Sequence, residues 1–94
     1  MLEKKVEQYL KKRVEELGGL CLKFTSPSRR GVCDRILISA NGLTYYVETK
    51  SGRSGHGLSP TQELFKKELE KRLVPMYVLA SKQEVDVFID KIYL

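Results

Sequence analysis

Asp34, Glu48 and Lys50 are the side chains in this sequence whose types and spacing could do chemistry. Asp34 precedes the apolar run Ile36-Leu37-Ile38, while Glu48 and Lys50 close the run Tyr45-Tyr46-Val47-Glu48-Thr49-Lys50, with Asn41-Gly42 between the two. Asn-Gly flanked by such runs signals a hairpin. The acid that enters the first strand and the acid and lysine that leave the second therefore gather at one end. Carboxylates beside buried aliphatic residues resist desolvation unless something cationic meets them. Two of them about 4 Å apart repel by roughly 4 kcal/mol at an effective dielectric of about 20. The pattern suits capture of a hard divalent cation, and an all-oxygen ligand set favours Mg2+ or Mn2+ over zinc.

Whether the acids converge depends on strand register. A two-residue loop pairs Ala40 with Leu43 and puts Arg35 opposite Glu48, which sends Asp34 and Glu48 to opposite faces. A three-residue loop with a bulge pairs Ala40 with Thr44 and Ile36 with Glu48, leaving Asp34, Glu48 and Lys50 on one face. The second arrangement is expected. Lys50 shares the face of Glu48 because strand side chains alternate, so its ammonium could orient a water or steady developing charge. A plain ion pair with the acids is the alternative.

The elements that must position these groups follow from periodicity. Val6, Leu10, Val14 and Leu17 recur at helical spacing and Gly18-Gly19 ends the pattern, predicting a helix over 3–17. Glu7 lies on or beside that stripe, where it either edges the core and pairs with Lys11 or points at the acids; Glu3 shares its face and competes for the same role. Leu20 to Phe24 reads as a short strand and 25–28 as a loop, followed by Arg29-Arg30-Gly31. Those arginines are either a solvated basic loop or phosphate contacts beside Asp34. The Gly-Ser-rich stretch 51–57 holds Arg53 and His56, as a connector or as a basic loop closing over a polyanion.

Ser59-Pro60-Thr61-Gln62 has the form of a capping box opening a second helix, which by itself accounts for Gln62. Phe65, Leu69 and Leu73 supply that helix's buried stripe. Met76 to Leu79 reads as the last core strand, in parallel pairing through a crossover, and Ser81 caps a third helix carrying Val85, Phe88, Ile89 and Ile92. The order is α-β-β-β-α-β-α, an α/β fold with a mixed central sheet flanked by helices.

Ninety-four residues suit one domain, 1–94, with one modest core. A net charge of +5 suits a polyanionic partner without identifying it. Cys21 and Cys33 are too few for a disulfide framework, and with His56 as the single histidine a structural zinc site is disfavoured. Both cysteines read as reduced and buried in an intracellular protein, and no signal peptide or membrane span is expected.

Taken together, Gly31-Val32-Cys33-Asp34, Val47-Glu48-Thr49-Lys50 and Ser59-Pro60-Thr61-Gln62 resemble the VRR-NUC family of the PD-(D/E)xK nucleases, over nearly the whole chain. Cys33 stands where the family usually has proline, a residue that fixes the backbone but supplies no ligand atom. The resemblance implies a restriction-endonuclease-like core and a metal held by Glu7 (or Glu3), Asp34, Glu48 and the carbonyl of Thr49. It also implies that Lys50 and Gln62 work beside Asp34 and Glu48 at the catalytic centre. The two basic loops then offer Arg29, Arg30, Arg53 and His56 to nucleic acid, with proton transfer the other role open to His56. The expected activity is Mg2+- or Mn2+-dependent DNA endonuclease action without a small-molecule cofactor. The expected substrate is a four-way (Holliday) junction cut by a homodimer that presents two symmetric sites. A monomeric flap or nick endonuclease and a non-catalytic nucleic-acid-binding module on the same fold are the alternatives.

Overall fold

The helix over 3–17 is found as α1, Glu3–Glu16, in a computed structural model that describes residues 2–52 and 57–93. Val6, Leu10 and Val14 are fully buried, as their spacing requires. Leu17 is instead half exposed, because the helix has already closed. Gly18, with φ of +79°, turns the chain in the left-handed region there.

Four strands follow as one sheet in the order β1 (Leu20–Lys23), β2 (Arg35–Ile38), β3 (Thr44–Thr49) and β4 (Met76–Leu79). The first two pairings are antiparallel and β3–β4 is parallel, as the crossover through α2 (Pro60–Glu70) demands. Helix α3 (Lys82–Lys91) closes the fold. The α/β architecture and its α-β-β-β-α-β-α order match the expectation. No helix among the described residues is long and apolar enough to cross a membrane.

The hairpin has its three-residue loop, but two residues away in register from the expected pairing. Ile38 faces Thr44 and Ile36 faces Tyr46, so neither Ala40–Thr44 nor Ile36–Glu48 is a pair. Ser39 is the reason. Its N–H donates to the Leu43 carbonyl at 2.8 Å, its carbonyl accepts from Gly42 N–H at 2.9 Å, and its hydroxyl accepts from Leu43 N–H at 3.0 Å. Ala40-Asn41-Gly42 forms the loop, with Gly42 at φ of +89° in the position a G1 bulge gives to glycine. A shift of two leaves side-chain parity intact. One step beyond the Arg35–Val47 pair, Asp34 comes opposite Glu48.

Parity divides the interior. Cys21, Leu37, Val47 and Leu79 face α1 and α3, where they join Val6, Leu10, Val14, Val85, Phe88 and Ile89 in the larger core. The other face sets Tyr46, Met76 and Val78 against Phe65 and Leu69 of α2, with Cys33 beneath. Cys21 and Cys33 are both free and buried. Leu73 departs from its expected place in the α2 stripe: the helix stops at Glu70, and Leu73 turns out at φ of +61° with 92 % of its surface exposed. Ile92, expected inside the third helix, is its C-cap.

Candidate active site

Glu48 is the centre of the site because it is where strand periodicity and solvation disagree. It sits on the α2 face of β3 with 2 % of its surface exposed. Burial, then the nearby charge of Asp34, pushes its carboxyl up to about 7, against a smaller opposing pull from Lys50. One oxygen, Oε2, accepts from Gln62 Nε2 at 3.0 Å and lies 3.6 Å from Lys50 Nζ. The other, Oε1, is buried and has no hydrogen-bond partner among the described residues. An acceptor left bare in this way costs on the order of 1–3 kcal/mol, more when charged.

Asp34 stands one residue ahead of β2, and its carboxylate turns to the end of β3. Its Oδ2 accepts from the N–H of Thr49 at 3.0 Å and from the Thr49 hydroxyl at 2.8 Å. The sequence reading saw only the Thr49 carbonyl; its hydroxyl, which fixes Asp34, was missed because strand alternation turns Thr49 away from Glu48. Lys50 follows the last strand residue, anchored by its N–H to the Leu79 carbonyl at 2.9 Å. Its ammonium donates to Gln62 Oε1 at 2.8 Å.

Gln62 serves both purposes the sequence allowed. Its backbone N–H donates to Ser59 Oγ at 3.2 Å and its Oε1 accepts from Ser59 N–H at 2.9 Å, completing the capping box. The same side chain then bridges Lys50 and Glu48. Helix α2 is thus tied to the end of β3 through one amide. Gly31 sets a second attachment: at φ of +78° it lies so close to Thr61 that a Cβ would fall 2.4 Å from the Thr61 carbonyl carbon. Only glycine fits such an approach. Arg29 consequently lies over the Phe65 ring at 5.6 Å, and Arg29 and Arg30 line an open depression with Ser28, Thr61 and Leu64.

The two first-helix acids separate. Glu7 accepts from Arg35 Nε at 3.0 Å in a mostly buried ion pair, not from Lys11. Glu3 is the one coupled to the site: partial burial and then Asp34 raise its carboxyl, and it in turn raises that of Glu48. The signal for this was present, since alternation with Leu37 turns Arg35 toward α1. Among the described residues no group of three His, Cys, Asp or Glu side chains forms a ready metal cage. What the fold does bring together is Asp34, Glu48, Thr49, Lys50 and Gln62. Arg53 and His56 lie outside the described residues.

Cys33 is 1 % exposed, packed with Phe65 and Met76. Desolvation pushes its thiol up to about 12, so it is an inert core residue. Cys33 thus fills space beneath the site and offers it no ligand atom.

No family model matches the chain. Among curated proteins it is similar to "Putative nuclease p44" of Acyrthosiphon pisum secondary endosymbiont phage 1, at 43 % identity over 49 residues. That match covers 52 % of this chain and 53 % of the phage protein, so the chain spans about half the length of that relative. A solved structure of a VRR-NUC domain superimposes with a TM-score of 0.88 at 32 % identity, covering 97 % of each chain. With that likeness running through helices, sheet and site segments alike, the chain belongs to the VRR-NUC family of nuclease domains.

Proposed function

We propose that this protein is a metal-dependent DNA endonuclease, and the observation that carries the reading is the bare, buried Oε1 of Glu48 beside Asp34. A carboxylate in that condition is relieved by a proton or, where it is ionised, by a cation. The donors are all oxygen, which fits Mg2+ or Mn2+. Asp34 and Glu48 would hold the ion with the Thr49 carbonyl, and Glu3 replaces Glu7 as the first-helix carboxylate, because Glu7 is committed to Arg35. When bound, such an ion supplies Lewis-acid polarisation of the phosphoryl group and a more acidic water.

The remaining roles belong to the chain. The Lys50 ammonium, held by Gln62, is placed to orient the attacking water or to offset charge gathering on the phosphate oxygens. Gln62 fixes both Lys50 and Glu48 so that neither reorganises as the bond breaks. Thr49 holds Asp34 in one orientation. Arg29 and Arg30, with Arg53 and His56, would contact the substrate backbone and fix its register without reading bases.

The substrate proposed is branched DNA, a four-way junction cut by a homodimer inside the cell. One site per chain cuts two strands only if two chains pair. Leu20 and Leu22, 54 % and 44 % exposed on the face that α2 leaves uncovered, offer apolar surface for that pairing. The test is a panel of four-way, flap, nicked and linear DNA with Mg2+ or Mn2+, read beside sedimentation of the protein with DNA. Preferred cutting of junctions by a dimer is the expected result; equal rates for wild type and Asp34→Ala would end the nuclease reading. A monomer that cuts flaps or nicks would leave the nuclease and remove the junction.

A further inference from the structure

We propose that a lysine-lined depression between α1 and α3 is a second phosphate-binding track for the nucleic-acid substrate, an inference that rests on the nuclease reading. Lys5, Lys12 and Lys82 converge with Gln8 and Tyr9 on one hollow of about 290 Å³. No acid lines it. Lys82 Nζ sits over the Tyr9 ring at 5.3 Å from its centroid, and the Tyr9 hydroxyl donates to Asp86 at 2.6 Å. Asp86 is in turn ion-paired with Arg13, so the nearest carboxylate is already engaged. Among the described residues none of the three lysines has a carboxylate within ion-pair distance. By contrast, Lys66 and Lys71 on α2 both pair with glutamates of their own helix.

Position gives the track its use. Lys82 opens α3 three residues after Leu79, the last residue of β4, which pairs with Thr49. Helix α1 begins at Glu3, which is within electrostatic reach of Glu48 and Asp34. The lysines therefore start at the same end of the sheet as the candidate site, on the side opposite α2. Seven residues of helix separate Lys5 from Lys12, a span of about 10.5 Å. That matches about three steps of a nucleic-acid strand at roughly 3.4 Å each. A strand crossing the sheet end past Glu48 would meet Arg29 and Arg30 on one flank and these ammoniums on the other. Mutually repelling cations in one hollow are relieved by a line of phosphates.

The experiment measures duplex and four-way DNA binding to the full chain in EDTA across a salt series. It compares wild type, Lys5→Ala/Lys12→Ala/Lys82→Ala, and a control with equal charge loss, Lys66→Ala/Lys67→Ala/Lys71→Ala. The patch variant is expected to lose at least about tenfold in affinity at low salt and to flatten the log–log salt slope by about 3, at roughly 0.9 per phosphate contact. The control is expected to change the slope by less than about 1. Equal effects of the two triples would overturn the track while leaving the nuclease reading intact; wild type that binds no DNA at all would remove both. Lys12→Glu alone, on an exposed helix surface, repeats the comparison if the triple variant is unstable, with an unchanged slope counting against the track.

Discussion

Glu7 and Glu48 are both acids pressed against the interior, one on each side of the sheet, and they are treated in opposite ways. On the α1–α3 side Glu7 meets Arg35 at 3.0 Å, and its charge is answered inside the fold. On the α2 side Glu48 is more deeply buried, its lysine stands back at 3.6 Å, and one oxygen is bare. The first arrangement is finished without a ligand. The second leaves a buried acceptor unanswered within the fold, the condition that singles out a candidate site from a structural ion pair.

The largest expected difference is in catalysis. Asp34→Ala and Glu48→Ala should each lower DNA cleavage by about 10³-fold or more, since each removes a carboxylate proposed to hold the ion. Glu7→Gln should change the rate by less than about tenfold; a single-turnover assay with Mg2+ compares the three, and a Glu7 variant as inactive as Asp34→Ala would break the contrast.

Stability should answer to pH in the opposite sense from an ordinary paired acid. The carboxyl of Glu48 lies near 7 when folded against 4.5 when free, so between those values the folded protein keeps a proton that the unfolded chain sheds. Stability from this group is therefore lost as pH rises from about 4.5 to about 7, by roughly 3 kcal/mol in all, and stays lost above that. Glu48→Gln should remove this slope in chemical denaturation of the metal-free protein. Adding Mg2+ or Mn2+ at about 100 times its Kd should restore about 2.7 kcal/mol to wild type above pH 7 and little to the variant.

Gly31→Ala sharpens the comparison from the packing side. A Cβ would lie 2.4 to 2.7 Å from the Thr61 backbone and side chain at a φ of +78°, so the loop or α2 must move. A loss of about 2 kcal/mol in denaturant midpoint is expected, with a fall in cleavage beyond what unfolding explains. A smaller effect should be that of Glu7→Gln on stability, about 1 kcal/mol, because its pair with Arg35 keeps some contact with water. Glu3→Gln at the same assay should instead weaken divalent-ion affinity without changing stability by more than about 0.5 kcal/mol.

Much of this was legible beforehand, for reasons that differ by residue. Val6, Leu10 and Val14 announced a helix face and Ser59 through Gln62 announced a cap because both are local patterns. Asn41-Gly42 announced a turn but not its register, which Ser39 decided through hydrogen bonds that periodicity does not encode. Leu73 looked like a core position by spacing and is 92 % exposed, since spacing says nothing about where a helix stops. The pairing of Glu7 with Arg35 joins residues 28 apart in the chain, and no local rule reaches that far.

The sequence alone determined the elements, their order and the side-chain types gathered at the strand ends, because helical and strand periods and turn chemistry act over a few residues. Tertiary structure decided which carboxylate was satisfied and which was left bare. That depends on what the opposite face of a sheet or the start of a distant helix brings within hydrogen-bond reach, and hydrogen bonds and desolvation are settled over ångströms in space, whatever the distance along the chain.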